Sequence, residues 1–326
     1  MLAYSLRRLL ISVPIFIAST FVVFLMAALS GNPLNRLLAI SPPPPPQTIE
    51  AERVRLHLDQ PIFERYWNWL TGLFRGDFGP SVESTMDIGN EVMSRYLVTL
   101  RLVLLAMLLA LILAIIAGVV SAVKQYSGVD YTFTFIGFLF LAMPTFWFAI
   151  LLKEAGISFN NAVGEQVLFT IGDSSVYVAG GAWDKVLDTA GHMVLPTISL
   201  ALLSFAAWSR FQRAAMLEVL NSDYVRLARA KGLRRGQVMR KHALRTALIP
   251  LTTVTALDLG SIISGAVVTE TVFQWQGAGT FLLEAIRKDD VYSIMAWLVI
   301  SATVIIVLNL VADLLYGVLD PRIRYA

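Results

Sequence analysis

The sequence predicts an all-α integral membrane protein with six transmembrane helices and a sizeable extracytoplasmic segment between helices 1 and 2. Two observations lead to this fold class. Hydrophobic residues make up 56% of the 326 residues, and the mean hydropathy is +0.67, which is typical of membrane proteins. The apolar residues are also concentrated in runs of about 20 residues, the length that a helix needs to cross a hydrocarbon core of about 30 Å.

Six segments have this length or come close to it. The first three contain no charged residue, and the last two hold one aspartate each, Asp258 and Asp313. The fourth is shorter, but its helix can continue past Arg210 and Arg213. In chain order the six predicted spans are residues 9–29, 102–123, 131–152, 193–209, 246–269 and 291–319.

The distribution of Lys and Arg predicts that both termini lie in the cytoplasm. Fifteen of the 26 basic residues fall on one side of the predicted topology, in short segments. Short loops that are rich in Lys and Arg are typical of the cytoplasmic side. Arg7 and Arg8 precede the first span. We interpret that span as a retained helix, because its uncharged run is too long for a signal peptide.

The segments on the other side are longer. Within residues 31–97, the prolines at 42–46 predict a stiff polyproline II spacer. Residues 62–74 predict an amphipathic helix at the membrane interface, because aromatic side chains favour the headgroup level. A second outer loop, residues 153–192, has little helical period and is expected to form a small irregular cap.

The basic segment 221–250 is expected to form a helix, a glycine turn and a second helix. It holds eight Lys or Arg, yet it keeps apolar residues at helical spacing. Residues 221–223 are helix-start residues, and Gly232 stands where a short helix would end in the left-handed conformation. The second helix is expected from about Arg235 until Pro250 interrupts it. This combination predicts a docking surface; the alternative is a basic loop that only sets the topology.

Several kinds of chemistry lack their residues in this sequence. There is no cysteine, so thiolate metal sites and cysteine nucleophiles are excluded, and His57, His192 and His242 lie in different segments. No GxxxxGK[ST] phosphate loop, HExxH helix or serine–histidine–acid set occurs. We therefore expect no catalytic site and no bound cofactor or metal in this chain. Any use of ATP and Mg²⁺ is expected of a partner.

Charges within apolar spans are costly and therefore mark functional candidates. Asp258 lies in the middle of the fifth span. The hydroxyl residues at three-residue steps from it are Thr252, Thr255, Ser261 and Ser264. This stripe predicts a wet translocation pathway; the alternative is a buried helix contact in which hydroxyls bond the carboxylate. Asp313 is interpreted as an interfacial ion-pair residue.

The segment DYVRLARAKGL, followed by KHALRTALIP, resembles the EAA loop of permease subunits in bacterial ABC importers, in the form used by oligopeptide and dipeptide uptake systems. The similarity covers nearly the whole chain. Upstream are LRRLLISVPIF at 6–16, GNP at 31–33, HLDQP at 57–61, RGDFG at 75–79 and HMVLPTISLAL at 192–202. Downstream are SGAVVTETVFQWQGAG at 264–279 and LDPRIR at 319–324. By this resemblance the chain is identified as a B-type permease with the type I ABC importer fold.

The resemblance implies a role for the basic segment. In similar permeases the helix around the loop glycine seats in a cleft of a cytoplasmic ATPase. Closure of two ATPases then moves the paired loops, and the spans rock between inward and outward openings. The ATPase-coupling residues implied here are Ala228, Arg229, Ala230, Lys231, Gly232 and Leu233. The alanines would allow close approach, and Gly232 would act as the hinge.

Two positions depart from the family pattern. The residue at the place of the loop's name-giving glutamate is Arg226, and Gln276 stands where relatives commonly have a proline before the paired glycines. A role that needs a carboxylate at position 226 is therefore not carried over. The five-proline run is also unusual for the family.

Four regions are predicted along the chain. Residues 1–30 form the N-terminal tail and first helix, and residues 31–97 form the extracytoplasmic segment. Residues 98–319 form a five-helix permease core that includes the coupling loop 221–250, and residues 320–326 form a cytoplasmic tail.

The predicted function is that of a permease subunit of an ATP-driven oligopeptide or dipeptide importer in the bacterial inner membrane. The partners implied are a second homologous permease, two cytoplasmic ATPase domains and an extracytoplasmic peptide-binding protein; no nucleic acid is expected. Similar permeases serve importers of nickel, glutathione or sugars. The alternative from another class is a secondary transporter coupled to ions through Asp258.

Overall fold

Helices form every regular element of the structure, a computed structural model that describes the backbone of residues 2–319 and the side chains of residues 14–310 except 36, 259, 261, 264 and 265. No strand occurs in that part of the chain, so the predicted all-α class is confirmed. The helices are α1 (Leu2–Ser30), α2 (Asn35–Leu38), α3 (Pro46–Arg55), α4 (Ile62–Leu73), α5 (Ile88–Val123), α6 (Gly128–Ala142), α7 (Thr145–Val163), α8 (Ala182–Leu220), α9 (Asp223–Ala230), α10 (Arg235–Gln237), α11 (Arg245–Phe273), α12 (Ala278–Arg287) and α13 (Val291–Leu319).

Among the described residues, three helical segments are each long and apolar enough to cross a membrane. They are Ile88–Val123, Ala182–Leu220 and Val291–Leu310. α6 and α7 meet the same criterion as a bent pair, and α1 contributes a shorter apolar stretch, Pro14–Ser30. α11 covers the predicted fifth span. These helices describe a multi-pass membrane protein, and the total of six spans remains a prediction.

The third predicted span, residues 131–152, is not one straight helix. α6 and α7 are separated by two residues, Met143 and Pro144, and the two helices are bent by 108°. Both residues have extended backbone, with ψ of 132° and 135°. A proline ring disfavours the helical conformation of the preceding residue, which accounts for the break.

α8 has 39 residues, so the prediction that the fourth helix continues past Arg210 and Arg213 is confirmed. Pro196 lies inside this helix without breaking it. Membrane helices tolerate proline where neighbouring groups satisfy the freed carbonyl.

The prediction of an irregular cap over residues 153–192 is wrong for much of its length. α7 continues to Val163 and α8 already begins at Ala182, so only residues 164–181 are irregular. Gly164 ends α7 in the left-handed conformation, with φ of 81°. Residues 164–181, which include four glycines, therefore form the connection between α7 and α8.

The expected interruption at Pro250 is also wrong, because Pro250 lies inside α11. α10 continues directly into a π-helical segment, Val238–Leu244, and this segment continues into α11. Such wider turns occur mostly as short insertions in α-helices. The hydroxyl of Thr252 donates to the Ile249 carbonyl beside the proline, at 2.8 Å.

The chain divides into two compact units. The first comprises Met1–Leu97 and Gly277–Val304, and the second comprises Val98–Gln276 and Ile305–Ala326. An aromatic core holds the first unit together: Phe24, Tyr66, Trp69 and Tyr292 are each at most 4% exposed.

The predicted helix at residues 62–74 is confirmed as α4. One side of α4 packs against protein, and the other side is exposed. The hydroxyl of Tyr66 lies 3.0 Å from that of Thr20 and 3.0 Å from the carbonyl oxygen of Ile17, so α4 packs across α1. Trp67 and Phe74 remain exposed. The aromatic residues of α4 are therefore divided between a protein core and an outer face.

The proline run at residues 42–46 is only partly the predicted spacer. Pro45 has φ of −55° and ψ of 144°, close to the polyproline II angles, but Pro46 is the first residue of α3. Proline is favoured at that helical position because its missing N–H has no partner there in any case.

α8 lies at the centre of the second unit, where it packs on α6, α7 and α11. Its Trp208 is fully buried in an apolar cluster that includes Leu102 of α5 and Leu251 of α11. α5 and α8 approach each other closely at Gly118, where a Cβ atom would lie 2.7 Å from the Cβ of Gln212. This crossing therefore requires glycine.

Candidate coupling surface

α9 follows α8 after a two-residue connection. Ser222 has extended backbone, with φ of −71° and ψ of 153°, and α9 begins at Asp223, as the helix-start residues predict. The Ser222 hydroxyl does not cap α9, because it donates instead to the carbonyl of Val219 at 2.6 Å. The hydroxyl thus stabilises the end of α8, and the direction of the chain changes between the two helices.

One face of α9 anchors it to the rest of the second unit. Val225 and Ala228 are 0% and 5% exposed. They belong to one apolar cluster with residues from α5, α8, the π-helical segment and α11. The other buried members are Ala122, Ala215, Met216, Val238, Ala243 and Ala247. A displacement of α9 would therefore act on an apolar cluster that four other helical segments share.

The opposite face of α9 and the residues after it are exposed. Leu227 is 56% exposed, Tyr224 is 43% exposed and Leu233 is 39% exposed. Exposed cations flank these apolar side chains. Of the residues implied for ATPase coupling, five are exposed: Arg229, Ala230, Lys231, Gly232 and Leu233. The sixth, Ala228, belongs to the anchoring face.

Gly232 makes the predicted left-handed turn after α9, with φ of +76°. Its N–H donates to the carbonyl of Arg229 at 3.0 Å, and the N–H of Leu233 donates to that of Ala228 at 3.4 Å. A Cβ atom on Gly232 would meet no neighbour within 4 Å. The requirement for glycine is therefore one of backbone angle and not of space.

An ion pair in the second unit joins three helices. Arg213 of α8 donates to both carboxylate oxygens of Asp130 in α6, at 2.8 Å each. The hydroxyl of Ser121 in α5 donates to the same carboxylate, and the N–H of Tyr126 donates to it at 3.0 Å. Asp130 is 2% exposed, so its charge is compensated almost wholly by these groups.

Sequence reasoning missed this ion pair. In the sequence analysis Arg213 is only a charge past which the fourth helix can continue, and Asp130 lies just before the third predicted span. The available signal was local: Ser127 and Asp130 form a helix-start pattern, in which the N–H of Asp130 donates to the Ser127 hydroxyl at 3.4 Å. The partner at position 213 is 83 residues away and gave no such signal.

The candidate pathway residues lie on α11. Asp258 accepts a hydrogen bond from the Trp208 indole N–H at 2.7 Å. The hydroxyls of Thr252 and Thr255 donate to backbone carbonyls of their own helix, and Thr255 is buried. The side chains of Ser261 and Ser264 lie outside the described residues. The structure therefore brings Asp258 to an indole of α8, whereas the described hydroxyls, those of Thr252 and Thr255, bond to backbone carbonyls.

Two family patterns together cover nearly the whole chain. Residues 1–103 match the N-terminal region of binding-protein-dependent transport system membrane components. Residues 110–325 match the family described as binding-protein-dependent transport system inner membrane component.

Relatives match this chain over almost all of its length and of their own. The oligopeptide transport system permease protein OppB of Mycobacterium tuberculosis is 38% identical over 324 residues, with 99% of each chain covered. The dipeptide transport system permease protein DppB of Alkalihalophilus pseudofirmus is 38% identical over 338 residues, with 100% of each chain covered. The DppB of Escherichia coli K12 is 35% identical over 344 residues.

Solved structures give the same fold at lower identity. A chain of the MetNI methionine ABC transporter, in an inward-facing conformation, superposes with a TM-score of 0.53. The match has 15% sequence identity and covers 70% of this chain and 96% of that one. The shared feature is the helical fold.

The protein thus belongs to the inner-membrane components of binding-protein-dependent transport systems. Within that family it is a membrane permease component and not a catalytic subunit. Its relatives named above are oligopeptide and dipeptide permeases of similar length.

Arg213→Gln is expected to destabilise the folded protein. The substitution leaves the buried Asp130 carboxylate without its cation, and removing one partner of a buried pair costs about 3–5 kcal/mol. The measurement is thermal unfolding of the purified protein in detergent. Arg240→Gln is the matched control, because Arg240 is exposed and has no ion pair in the described part of the chain. Equal melting temperatures of the two variants would contradict the structural role of the pair.

Proposed function

We propose that this chain is the permease subunit of an ATP-driven importer of oligopeptides or dipeptides. The observation that carries the proposal is α9, an exposed helix anchored by Val225 and Ala228 in a chain that matches oligopeptide and dipeptide permeases over its full length. The chain would form half of the translocation pathway, and a second homologous permease would form the other half. ATP and Mg²⁺ would be used by two cytoplasmic ATPase domains. An extracytoplasmic peptide-binding protein would deliver the substrate.

The proposed topology has six spans in a bacterial inner membrane and both termini in the cytoplasm. The basic residues around α9 support this orientation, because short cytoplasmic loops are rich in Lys and Arg. The segment between the first and second spans then lies outside.

In the proposed mechanism α9 transmits movement from the ATPases to the spans. Its outer face, with Tyr224, Leu227 and the turn at Gly232, would seat in a cleft of an ATPase. When two ATPases close on ATP, α9 would move with them. The apolar cluster beneath α9 would pass this movement to α5, α8 and α11, and the pair between Asp130 and Arg213 would keep α6 with them.

Arg226 stands where the family pattern has a glutamate. Docking of this chain would therefore use no carboxylate at that position. The Arg226 side chain is 69% exposed, and Asp223 lies 3.8 Å away as a neighbour on the same helix. Exposed ion pairs of this kind contribute little stability. Arg226 is therefore free to pair with an acidic residue of the ATPase, alongside Arg229 and Lys231.

The decisive test of the function is uptake by the complex reconstituted in proteoliposomes. Labelled dipeptides and oligopeptides should enter only when the ATPases, ATP and the binding protein are all present. Uptake without the ATPase subunits would contradict the proposal and favour a secondary transporter. ATP-driven uptake of nickel, glutathione or a sugar, with no peptide uptake, would place the chain in a related importer.

Gly232→Val is expected to impair coupling and leave membrane insertion intact. A residue with a Cβ atom in the left-handed region costs about 1–2 kcal/mol, equivalent to about a 5- to 30-fold loss of the native turn. Uptake and peptide-stimulated ATP hydrolysis should fall by a comparable factor. Gly236→Val is the matched control, because Gly236 has open space around it and no positive φ. Normal coupling in Gly232→Val would remove this turn from the docking site.

We also propose that Asp258, with Thr252, Thr255 and Ser261, lies along the translocation pathway. Support comes from the position of a carboxylate within an apolar helix, where a charge is retained only for a contact or a function. Its bond to Trp208 supplies one contact. Asp258→Asn keeps an acceptor for the indole but removes the charge. Peptide uptake should therefore fall severalfold at unchanged complex yield, and unchanged uptake would leave Asp258 as a packing residue only.

A further inference from the structure

A largely apolar groove of about 630 Å³ lies between α6 and α8. Two arginines line it: Arg210 is exposed, and Arg213 is paired with Asp130. Its walls include Phe138 and Leu141 of α6 and Ala207 and Phe211 of α8. Phe138 and Phe211 are about half exposed, at 51% and 50%. The groove is therefore an open surface of the second unit that combines aromatic rings with a guanidinium group.

The Arg210 guanidinium is held in place but not neutralised. Its central carbon lies 4.4 Å from the centre of the Phe138 ring, a close cation–π contact. Within the described part of the chain Arg210 makes no ion pair or hydrogen bond, whereas its neighbour Arg213 is paired with Asp130. Stacking uses the flat face of the guanidinium and leaves the N–H donors at its edge available for an anion.

Arg210 lies one residue past the fourth predicted span, residues 193–209, at the proposed cytoplasmic end of that span. α6 and α8 run antiparallel, because Gly137 lies against the Ala206 carbonyl while Asp130 pairs with Arg213. The Arg210 guanidinium contacts the Phe138 ring, ten residues into α6. A charged side chain beside an apolar span faces water or other protein, because contact with lipid tails is costly.

We propose that this groove is a contact site for the peptide in transit, in which Arg210 binds the C-terminal carboxylate of the peptide. The inference rests on the proposed function and deepens it. Charge complementarity selects the occupant: every unmodified peptide carries a C-terminal carboxylate, and the groove offers one arginine whose charge is not compensated. The apolar walls at Phe138, Leu141 and Phe211 suit peptide side chains of varied shape, because ligand sites commonly combine apolar walls with few polar groups.

A carboxylate of the second permease is the competing occupant. An ion pair of that kind would hold the two permeases together and would make Arg210 necessary for assembly with any substrate. The peptide contact instead predicts dependence on the chemistry of the peptide terminus, with assembly unaffected. These two expectations separate the occupants experimentally.

The test uses photoreactive peptides on the assembled complex without the binding protein. Each peptide carries a photoreactive C-terminal residue and is made in two forms, with a free carboxylate or with a C-terminal amide. After irradiation, mass spectrometry measures the labelling of α6 and α8. The free-acid form should label these helices about tenfold more than the amide. Arg210→Gln should reduce free-acid labelling to the amide level, and Arg210→Lys should retain part of it.

Lys124→Gln is the matched control, because it also removes one cation from an exposed position but lies in the turn between α5 and α6. It should label like the parent protein. Equal labelling by both peptide forms, labelling that Arg210→Gln does not reduce, or no labelling of α6 and α8 would each overturn the inference. Loss of assembly in both Arg210 variants would also overturn it and assign Arg210 to the second permease. If the parent complex imports no peptide at all, the proposed function itself fails, and that uptake is measured separately.

Discussion

The carboxylate of Asp130 brings three helices together at one buried point. It accepts hydrogen bonds from Arg213 of α8, Ser121 of α5 and the backbone before α6. A buried charge is tolerated only when it is paired and hydrogen-bonded, so the ends of these helices cannot separate without exposing an unpaired group. The need to keep Asp130 paired therefore fixes where α8 continues towards α9. The apolar cluster below α9 adds the second constraint, because it packs α9 together with α5, α8, the π-helical segment and α11.

These two constraints explain how a short helix can transmit force. An eight-residue helix is too short to be stable alone in water. α9 persists because Val225 and Ala228 are buried, and its outer face can then carry exposed apolar residues for a partner. In the proposed mechanism the same packing that stabilises α9 makes it a rigid extension of the spans. The left-handed turn at Gly232 lets the chain leave the contact surface and return to α11.

The features that sequence reasoning obtained correctly are those fixed by local chemistry. Apolar runs located α5, α8 and α13, and the glycine after an apolar-periodic segment located the turn at Gly232. Pro144 marks a place where the third span can kink, but an apolar run reports burial in lipid and not the angle between α6 and α7. Pro144 caused a break and Pro196 and Pro250 did not, since the outcome depends on which neighbours satisfy the freed carbonyls. The pair of Asp130 and Arg213 joins residues distant in sequence, and no local pattern contains that information. The burial of Ala228 was accessible in principle, because Val225 lies one helical turn before it.

The central claim is that the outer face of α9 contacts an ATPase, and crosslinking from single cysteines tests it most directly. The chain has no cysteine, so each introduced thiol is unique. A photoreactive maleimide placed at Leu227→Cys should crosslink the ATPase subunit of the assembled complex. The same reagent at Thr85→Cys, an exposed position in the proposed extracytoplasmic segment, should give no such product. An ATPase adduct from position 85, or none from position 227, would contradict the account.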